Sequence, residues 1–380
     1  MPRWSFRLAG LVSAFCAALS AAPVAAAPVG HAPYLGADLS STNEMDDCGA
    51  VFRQNGKAYD LFTLVRGHGG NLARIRIWND PDWTRYSNLA DVKKSIRRAR
   101  AAHLLVLLDF HYSDTWADGD KQIIPKAWAG IKDDQALADA LYRFTFDTLM
   151  ALDAEGLMPD QVQVGNEINQ ELLGQADWKG RPINWKRNAL LLNAGIKAVR
   201  DAGAKSAIKP KVMLHIAQPE NVEPWFAAAK AAGVTDFDMI GVSYYAKWSK
   251  YSMVEMGATI KRLTLAYPKT EVVLVETAYP WTTDYADPLG NVLGEDALMK
   301  AYPATPLGQK QYMTDVTRTV LENGGVGVVY WEPGWVSTHC KTPWGVGSSW
   351  ENATFFDFHR DNEVLPAIDF MRTPAPPAAP

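Results

Sequence analysis

Little in this sequence suits a nucleic-acid-binding, membrane-spanning or zinc protein. Its 38 Lys and Arg are outnumbered by 42 Asp and Glu, for a formal net charge of -4, and the pI is near 6.0. No basic surplus exists to neutralise a phosphate backbone, so nucleic acid is excluded as a partner. Beyond the N-terminal segment no stretch of about 18 uncharged apolar residues occurs, which excludes a membrane-spanning helix and a membrane partner. Neither HExxH nor a paired Cys/His spacing is present, which leaves His111 and His215 without a zinc motif. No linker or internal repeat divides the chain. Cysteine is scarce, with 3 in 380 residues, so a disulfide-built scaffold is excluded too.

What is present points to an exported globular protein. Arg3 and Arg7 precede an apolar run from Leu8 to Ala22, followed by Ala25-Ala26-Ala27, the pattern of a signal peptide over residues 1–27. The apolar run is too short to span a bilayer comfortably, and Phe15 before Cys16 is too bulky for lipid-anchor processing. A secreted or periplasmic protein is expected, acting as a monomer. Hydrophobic residues make up 48% of the chain, enough for a sizeable core. The outlier is Trp, at 14 residues beside 14 Tyr. Flat indole faces suit the apolar faces of sugar rings, although many such rings simply fill cores.

Eight apolar, β-rich runs recur: Tyr34–Leu39, Leu72–Trp78, Leu104–Phe110, Gln161–Glu167, Lys211–Ala217, Met239–Tyr245, Glu271–Thr277 and Val326–Trp331. Stretches of helical period lie between them, among them Leu89–Ala102, Gln135–Glu155, Lys186–Ala202, Val222–Ala232, Met253–Tyr267 and Gln309–Asn323. Several end at Gly156, Gly203, Gly233 or Gly324, as helix C-termini prefer. This alternation predicts an α/β fold, a (β/α)8 TIM barrel forming a single domain over residues 28–372. The Pro/Ala-rich residues 373–380 are expected to be a disordered tail. The loop from Tyr279 to Pro306 is the one long irregular insertion. Cys48 and Cys340 fall in loops after the first and eighth strands, neighbours once a barrel closes. A disulfide is therefore expected, with two buried thiols as the alternative.

Barrel enzymes carry their chemistry at the C-terminal ends of the strands. Here those ends are dense in polar residues: Asp38, Arg74 and Arg76, Asp109 to Asp114, Gly165-Asn166-Glu167, His215, Tyr244-Tyr245, Glu276 and Trp331-Glu332. Glu167 and Glu276 each close an apolar strand, where a carboxylate has no structural reason to be buried. On the fourth and seventh strands they can face each other across the barrel mouth. Retaining glycoside hydrolysis needs such a pair, about 5 to 5.5 Å apart. A nucleophile must stay ionised, and Arg74 can supply the cation, which makes Glu276 the nucleophile and Glu167 the acid/base. Arg76 shares that strand face, and spacing does not separate the two arginines. A purely structural ion-pair network of strand-end acids with Arg74, Arg76 and His111 is the alternative. Asn166 would bond the sugar's 2-hydroxyl, and His111 and His215 read as sugar contacts or supports behind them. Asp284, Asp287 and Asn291 offer oxygen ligands for a structural calcium, or simply a solvated acidic loop. No cofactor is required for the chemistry itself.

Together these motifs resemble glycoside hydrolase family 53, the arabinogalactan endo-β-1,4-galactanases of clan A. The resemblance spans Tyr34 to Phe370 and rests on Gly36-Ala37-Asp38-Leu39-Ser40-Ser41, Arg74-Ile75-Arg76-Ile77-Trp78-Asn79-Asp80-Pro81 and Leu108-Asp109-Phe110-His111-Tyr112-Ser113-Asp114-Thr115-Trp116-Ala117-Asp118. Further matches are Val164-Gly165-Asn166-Glu167-Ile168, Gly241-Val242-Ser243-Tyr244-Tyr245, Val275-Glu276-Thr277 and Tyr330-Trp331-Glu332-Pro333. The resemblance implies a retaining endo-hydrolase of β-1,4-galactan with a polysaccharide as its partner. It implies that Asp38, Arg74, His111, Asn166, Tyr245 and Trp331 hold the attacked sugar, and that Asp114 and Trp116 touch its neighbours. Bacterial members carry a denser acidic and histidine set in the loop after the seventh strand than Tyr285-Ala286-Asp287-Pro288-Leu289 provides here. Two other readings stay open: a clan A hydrolase of mannan, xylan or β-glucan, and a non-catalytic polysaccharide-binding barrel.

Overall fold

A computed structural model describes residues 1–2, 31–174 and 180–372. Residues 3–27 of the expected export segment and the tail from 373 to 380 lie outside the described residues. Among the described residues eight parallel strands close a barrel: β1 (Tyr34–Asp38), β2 (Leu72–Ile77), β3 (Leu105–Phe110), β4 (Gln161–Val164), β5 (Lys211–Ala217), β6 (Met239–Ser243), β7 (Glu271–Thr277) and β8 (Gly327–Tyr330). β1 pairs with both β2 and β8 and so seals the ring. The seal is tight: a side chain at Gly36 would meet the Leu72 carbonyl oxygen at 1.9 Å, so only glycine permits that backbone approach.

The strands read as continuous apolar runs because both of their faces are covered. One buried cluster, including Leu72, Leu107, Met213, Met239, Val273 and Val329, fills the barrel interior. A larger cluster packs the outer strand faces against the helices. These helices are α1 (Thr42–Asp47), α2 (Leu61–Gly67), α3 (Leu89–Ala101), α4 (Asp134–Asp153), α5 (Trp185–Lys205), α6 (Pro219–Ala231), α7 (Met253–Ala266) and α8 (Pro306–Glu322). Side-chain caps define many of their starts, as where Ser252 and Glu255 form a reciprocal capping box on α7. Gly156, Gly233 and Gly324 have positive φ beyond the helix ends, whereas α5 runs through Gly203 to Lys205.

After β8 the chain forms a small hairpin, pairing Lys341–Thr342 with Gly345–Val346. It then contributes two short strands to a sheet completed by Phe52–Gln54 and Lys57–Tyr59. Cys48 and Cys340 are bonded, S–S 1.97 Å, across a sequence separation of 292 residues. Asn352, which with Ala353 and Thr354 makes an Asn-X-Thr glycosylation sequence, is buried and donates to the Leu293 carbonyl at 2.7 Å, so the folded chain does not present it for glycosylation.

Candidate active site

At the barrel mouth two departures from regular strand geometry aim the key carboxylates. β4 ends at Val164, and Gly165 (φ 84°) and Glu167 (φ 45°) then take left-handed backbone. Glu167 holds that conformation without being glycine, the kind of strain that persists where surrounding contacts dictate it. On β7 the pairing with β6 shifts by one residue, from Val242–Leu274 to Ser243–Glu276. Val273 and Val275 face the interior, so strict alternation would send Glu276 outward. The bulge turns it into the mouth.

There a carboxylate oxygen of Glu167, one of Glu276 and a ring nitrogen of His215 all lie within 4.8 Å of one another. Arg74 meets Glu276 Oε1 through Nη1 at 2.7 Å, and the Tyr245 hydroxyl donates to Oε2 at 3.1 Å. Glu167 Oε1 accepts from Ser243 Oγ at 2.6 Å and Oε2 from the Gly119 N–H at 3.3 Å. Burial pushes the Glu276 carboxyl well up; Arg74 opposes this, while the charges of Glu167, Asp38 and Asp109 add to it. Burial also raises Glu167; the Ser243 hydrogen bond opposes and Asp118 adds. Two carboxyls this close share one proton most stably. The guanidinium and phenol on Glu276 favour the charge there, leaving the proton on Glu167, which has only neutral donors.

Arg74 is the hub of this arrangement. Besides Glu276 it bonds Asp38 Oδ2 and Asp109 Oδ2, both at 2.8 Å, and Asn166 Oδ1 at 2.7 Å. Burial disfavours its charge, yet Asp109, Glu276 and Asp38 raise its pKa overall. Burial likewise raises Asp109, but Arg74 and His111 carry it below its ordinary value. Arg76 takes a different task, meeting Glu332 at 3.3 Å and lying over the rings of Trp116 (3.9 Å) and Trp78 (4.6 Å). Arg74 is thus the arginine on the nucleophile.

The carboxylates open into a cleft of about 810 Å³ walled by Trp116, Trp331, Trp335, Trp344, Trp350 and Trp248. Asp38, Arg74, His111, Trp116, Asn166, Tyr245 and Trp331, all named from sequence, line it. Three others do not. His215 is fully enclosed beneath the mouth, donating Nε2–H to Ser243 Oγ at 2.8 Å while Nδ1 accepts from Gln163 Nε2 at 3.1 Å. Burial, then Arg74, lowers its pKa well below normal, so the ring is neutral. Tyr244 follows strand alternation away from the mouth into the helix-facing core. Asp114 braces its own loop, accepting from the backbone N–H groups of Asp80 (2.9 Å) and Lys126 (2.8 Å). Sequence reasoning overlooked Ser243, although its place two residues before Tyr245 on the inward face marks it.

Metal-binding potential is limited at the mouth. Both His215 nitrogens are engaged and Glu276 already faces a guanidinium, so the Glu167–His215–Glu276 cluster does not suit a cation. In the long loop after β7, Asp284 stands apart, exposed and paired with His359 at 3.1 Å. Asn291 instead donates to Glu351 Oε1 at 3.2 Å. Burial, then the charge of Asp287, pushes Glu351 up to about 7. Asn291 Oδ1 and Glu351 Oε2 are buried with no hydrogen-bond partner among the described residues.

Residues 34–371 match the sequence pattern of glycosyl hydrolase family 53. An arabinogalactan endo-β-1,4-galactanase from Cellvibrio japonicus (strain Ueda107) is 53% identical over 340 residues, covering 89% of this chain and 90% of that protein. The solved GH53 catalytic domain of Ignisphaera aggregans is 31% identical with a TM-score of 0.80, over 92% of this chain and 99% of that one. One of two solved fungal β-1,4-galactanases is 30% identical with a TM-score of 0.75, over 89% and 98%.

Proposed function

The chain belongs to glycosyl hydrolase family 53, and from that premise we propose that Glu276 and Glu167 perform a double displacement at its barrel mouth. The protein is an endo-hydrolase of β-1,4-galactosidic bonds in galactan and arabinogalactan. The observation that carries the proposed roles is the approach of the two carboxylates within 4.8 Å, with Arg74 on only one of them. That approach suits a retaining pair, about 5 to 5.5 Å apart, better than an inverting pair, whose carboxyls stand roughly 6.5–9.5 Å apart to admit a water.

In the first half-reaction a Glu276 oxygen attacks the anomeric carbon, and the glycosidic C–O bond breaks as Glu167 passes its proton to the departing sugar oxygen. A β-linked substrate gives an α-linked galactosyl ester. Glu276 has then lost its charge, so the two close carboxyls no longer compete for one proton, and Glu167 ionises and serves as base. It takes a proton from water as the hydroxyl attacks the same carbon, and Glu276 leaves as carboxylate. Tyr245 and Arg74 hold the nucleophile in place, Asn166 faces the 2-hydroxyl, and Trp331 gives the ring an apolar wall. None of these steps draws on a cofactor. Export by the N-terminal segment and action as a monomer complete the reading. A polysaccharide too large to enter a cell calls for such placement.

Reducing-sugar release on debranched galactan, run beside mannan, xylan and carboxymethylcellulose, tests this. Release from galactan alone is expected; release only from another polymer overturns the substrate, and inactivity on all four overturns the catalytic role. For structural calcium, we place the ligands at Asp287, Asn291 and Glu351 rather than Asp284, because of the unpartnered buried oxygens there. Adding calcium after chelation is expected to raise Tm by a few degrees, roughly what 1 kcal/mol yields at this size. No rise with calcium removes the site.

A further inference from the structure

We propose that a groove beside the cleft, between the starts of α5 and α6, binds a distal reducing-end sugar of the galactan chain, with Trp185 as its stacking platform. This rests on the galactanase reading above and extends it to where the leaving part of the substrate runs. The groove encloses about 320 Å³, within the range of a site for a small ligand. It adjoins the catalytic cleft, since Asn169 and Asn221 line both.

The roles of the two glutamates set the direction of the chain. Glu167 protonates the oxygen of the departing sugar, so that sugar lies on the Glu167 side of the mouth. The attacked sugar lies against Glu276, Arg74 and Trp331. The loops following β4 and β5 form the departing side: Asn169 comes two residues after Glu167, and Asn221 lies just beyond Ala217, the end of β5. Asn169 is locked there, accepting from the Ala217 N–H at 2.7 Å and donating to the Ala217 carbonyl at 2.9 Å. Asn221 also donates to that carbonyl, at 2.9 Å. A chain leaving over this fixed amide ridge enters the groove.

The groove carries the chemistry of sugar recognition. Trp185 is half-buried at the start of α5 and braced by Trp225, ring centroids 5.4 Å apart and planes at 65°. Pro224 and Ala228 on α6 keep the opposite wall low and apolar. The indole N–H of Trp225 is buried with no acceptor among the described residues, an unusual state for that donor. An apolar plate beside side-chain amides matches the two faces of a pyranose: C–H groups for the indole, hydroxyls for the amides.

Two variants test the groove. Trp185→Ala removes the plate, while Ala228→Gln fills the space from a helix surface and leaves both indoles in place. The reading is the ratio of kcat/KM on β-1,4-galactohexaose to that on galactotriose, with the cut positions in reducing-end-labelled hexaose. Both variants are expected to lower the ratio about three- to tenfold, the scale of one aromatic stacking contact. They are also expected to move cleavage toward the labelled end, because fewer sugars beyond the cut are then held. An unchanged ratio and cut pattern in both, with galactan still hydrolysed, overturns the groove and spares the galactanase reading. So does a fall confined to Trp185→Ala and matched by a lower Tm. Failure of the unmodified chain to cut galactan overturns the reading beneath it instead.

Discussion

Glu276→Ala is expected to lose roughly ten-thousandfold or more of kcat on galactan, the scale at which loss of a covalent nucleophile acts. The informative readout is stereochemical. With an activated aryl β-galactoside and sodium azide, the cavity left by the missing carboxylate admits azide to the face of the anomeric carbon that Glu276 occupied. The product is then the α-galactosyl azide, formed in one displacement. Glu167→Ala keeps the nucleophile and forms the galactosyl ester, which azide attacks from the opposite face, giving the β-azide. The pair of products assigns each role separately, and the opposite pairing would reverse the assignment. Recovery by azide also shows that the barrel has folded, which a simple loss of turnover does not.

The second large effect is at Arg74. Its guanidinium pairs with Asp38, Asp109 and Glu276 at 2.7 to 2.8 Å, and its side chain is 1% exposed. Arg74→Met would strand buried carboxylates, a change that typically destabilises by about 3–5 kcal/mol. The same substitution removes the main influence lowering the Glu276 pKa. That pKa then rises further, a larger fraction of enzyme is protonated at any given pH, and the acid limb of the kcat/KM profile moves to higher pH. Arg74→Lys keeps the charge but not the fork, so it should fall between the two. Denaturant unfolding and the pH profile of the residual activity measure both effects. Wild-type stability together with an unmoved acid limb would show that Arg74 is not the hub.

The sequence made the barrel legible because its strands are buried on both faces and therefore stand out as unbroken apolar runs. Each of the eight runs contains its observed strand, with ends that differ by a few residues. The differences concentrate where the chemistry is: Gln161–Glu167 reads as one strand, but extended geometry stops at Val164 so that Glu167 can turn inward. Period-two reasoning places Tyr245 and Glu276 at strand ends, but it cannot detect the one-residue bulge on β7 that aims Glu276. The same alternation, applied strictly, would have sent Tyr244 outward, where it is. His215 illustrates another limit: a strand-end histidine reads the same whether it meets substrate or lies beneath it, and only the packing of Ser243 and Gln163 around it decides. Helices α1 and α2 escape a periodicity search because they are 6 and 7 residues long. Arg74 and Arg76 share one face and differ only in partners from other strands and loops far off in sequence, which no local pattern records.

The link between Cys48 and Cys340 has a consequence for maturation. Its two halves come from the first and last parts of the barrel's sequence, separated by 292 residues, so they meet only once β8 has docked on β1. Removal of the expected export segment would take Cys16 with it and leave no third thiol to compete. The mature chain then has a single pairing available, with no wrong isomer to be reshuffled. Oxidation of this pair marks a ring that has already closed, and a full-length chain whose last strand has not docked would remain a dithiol.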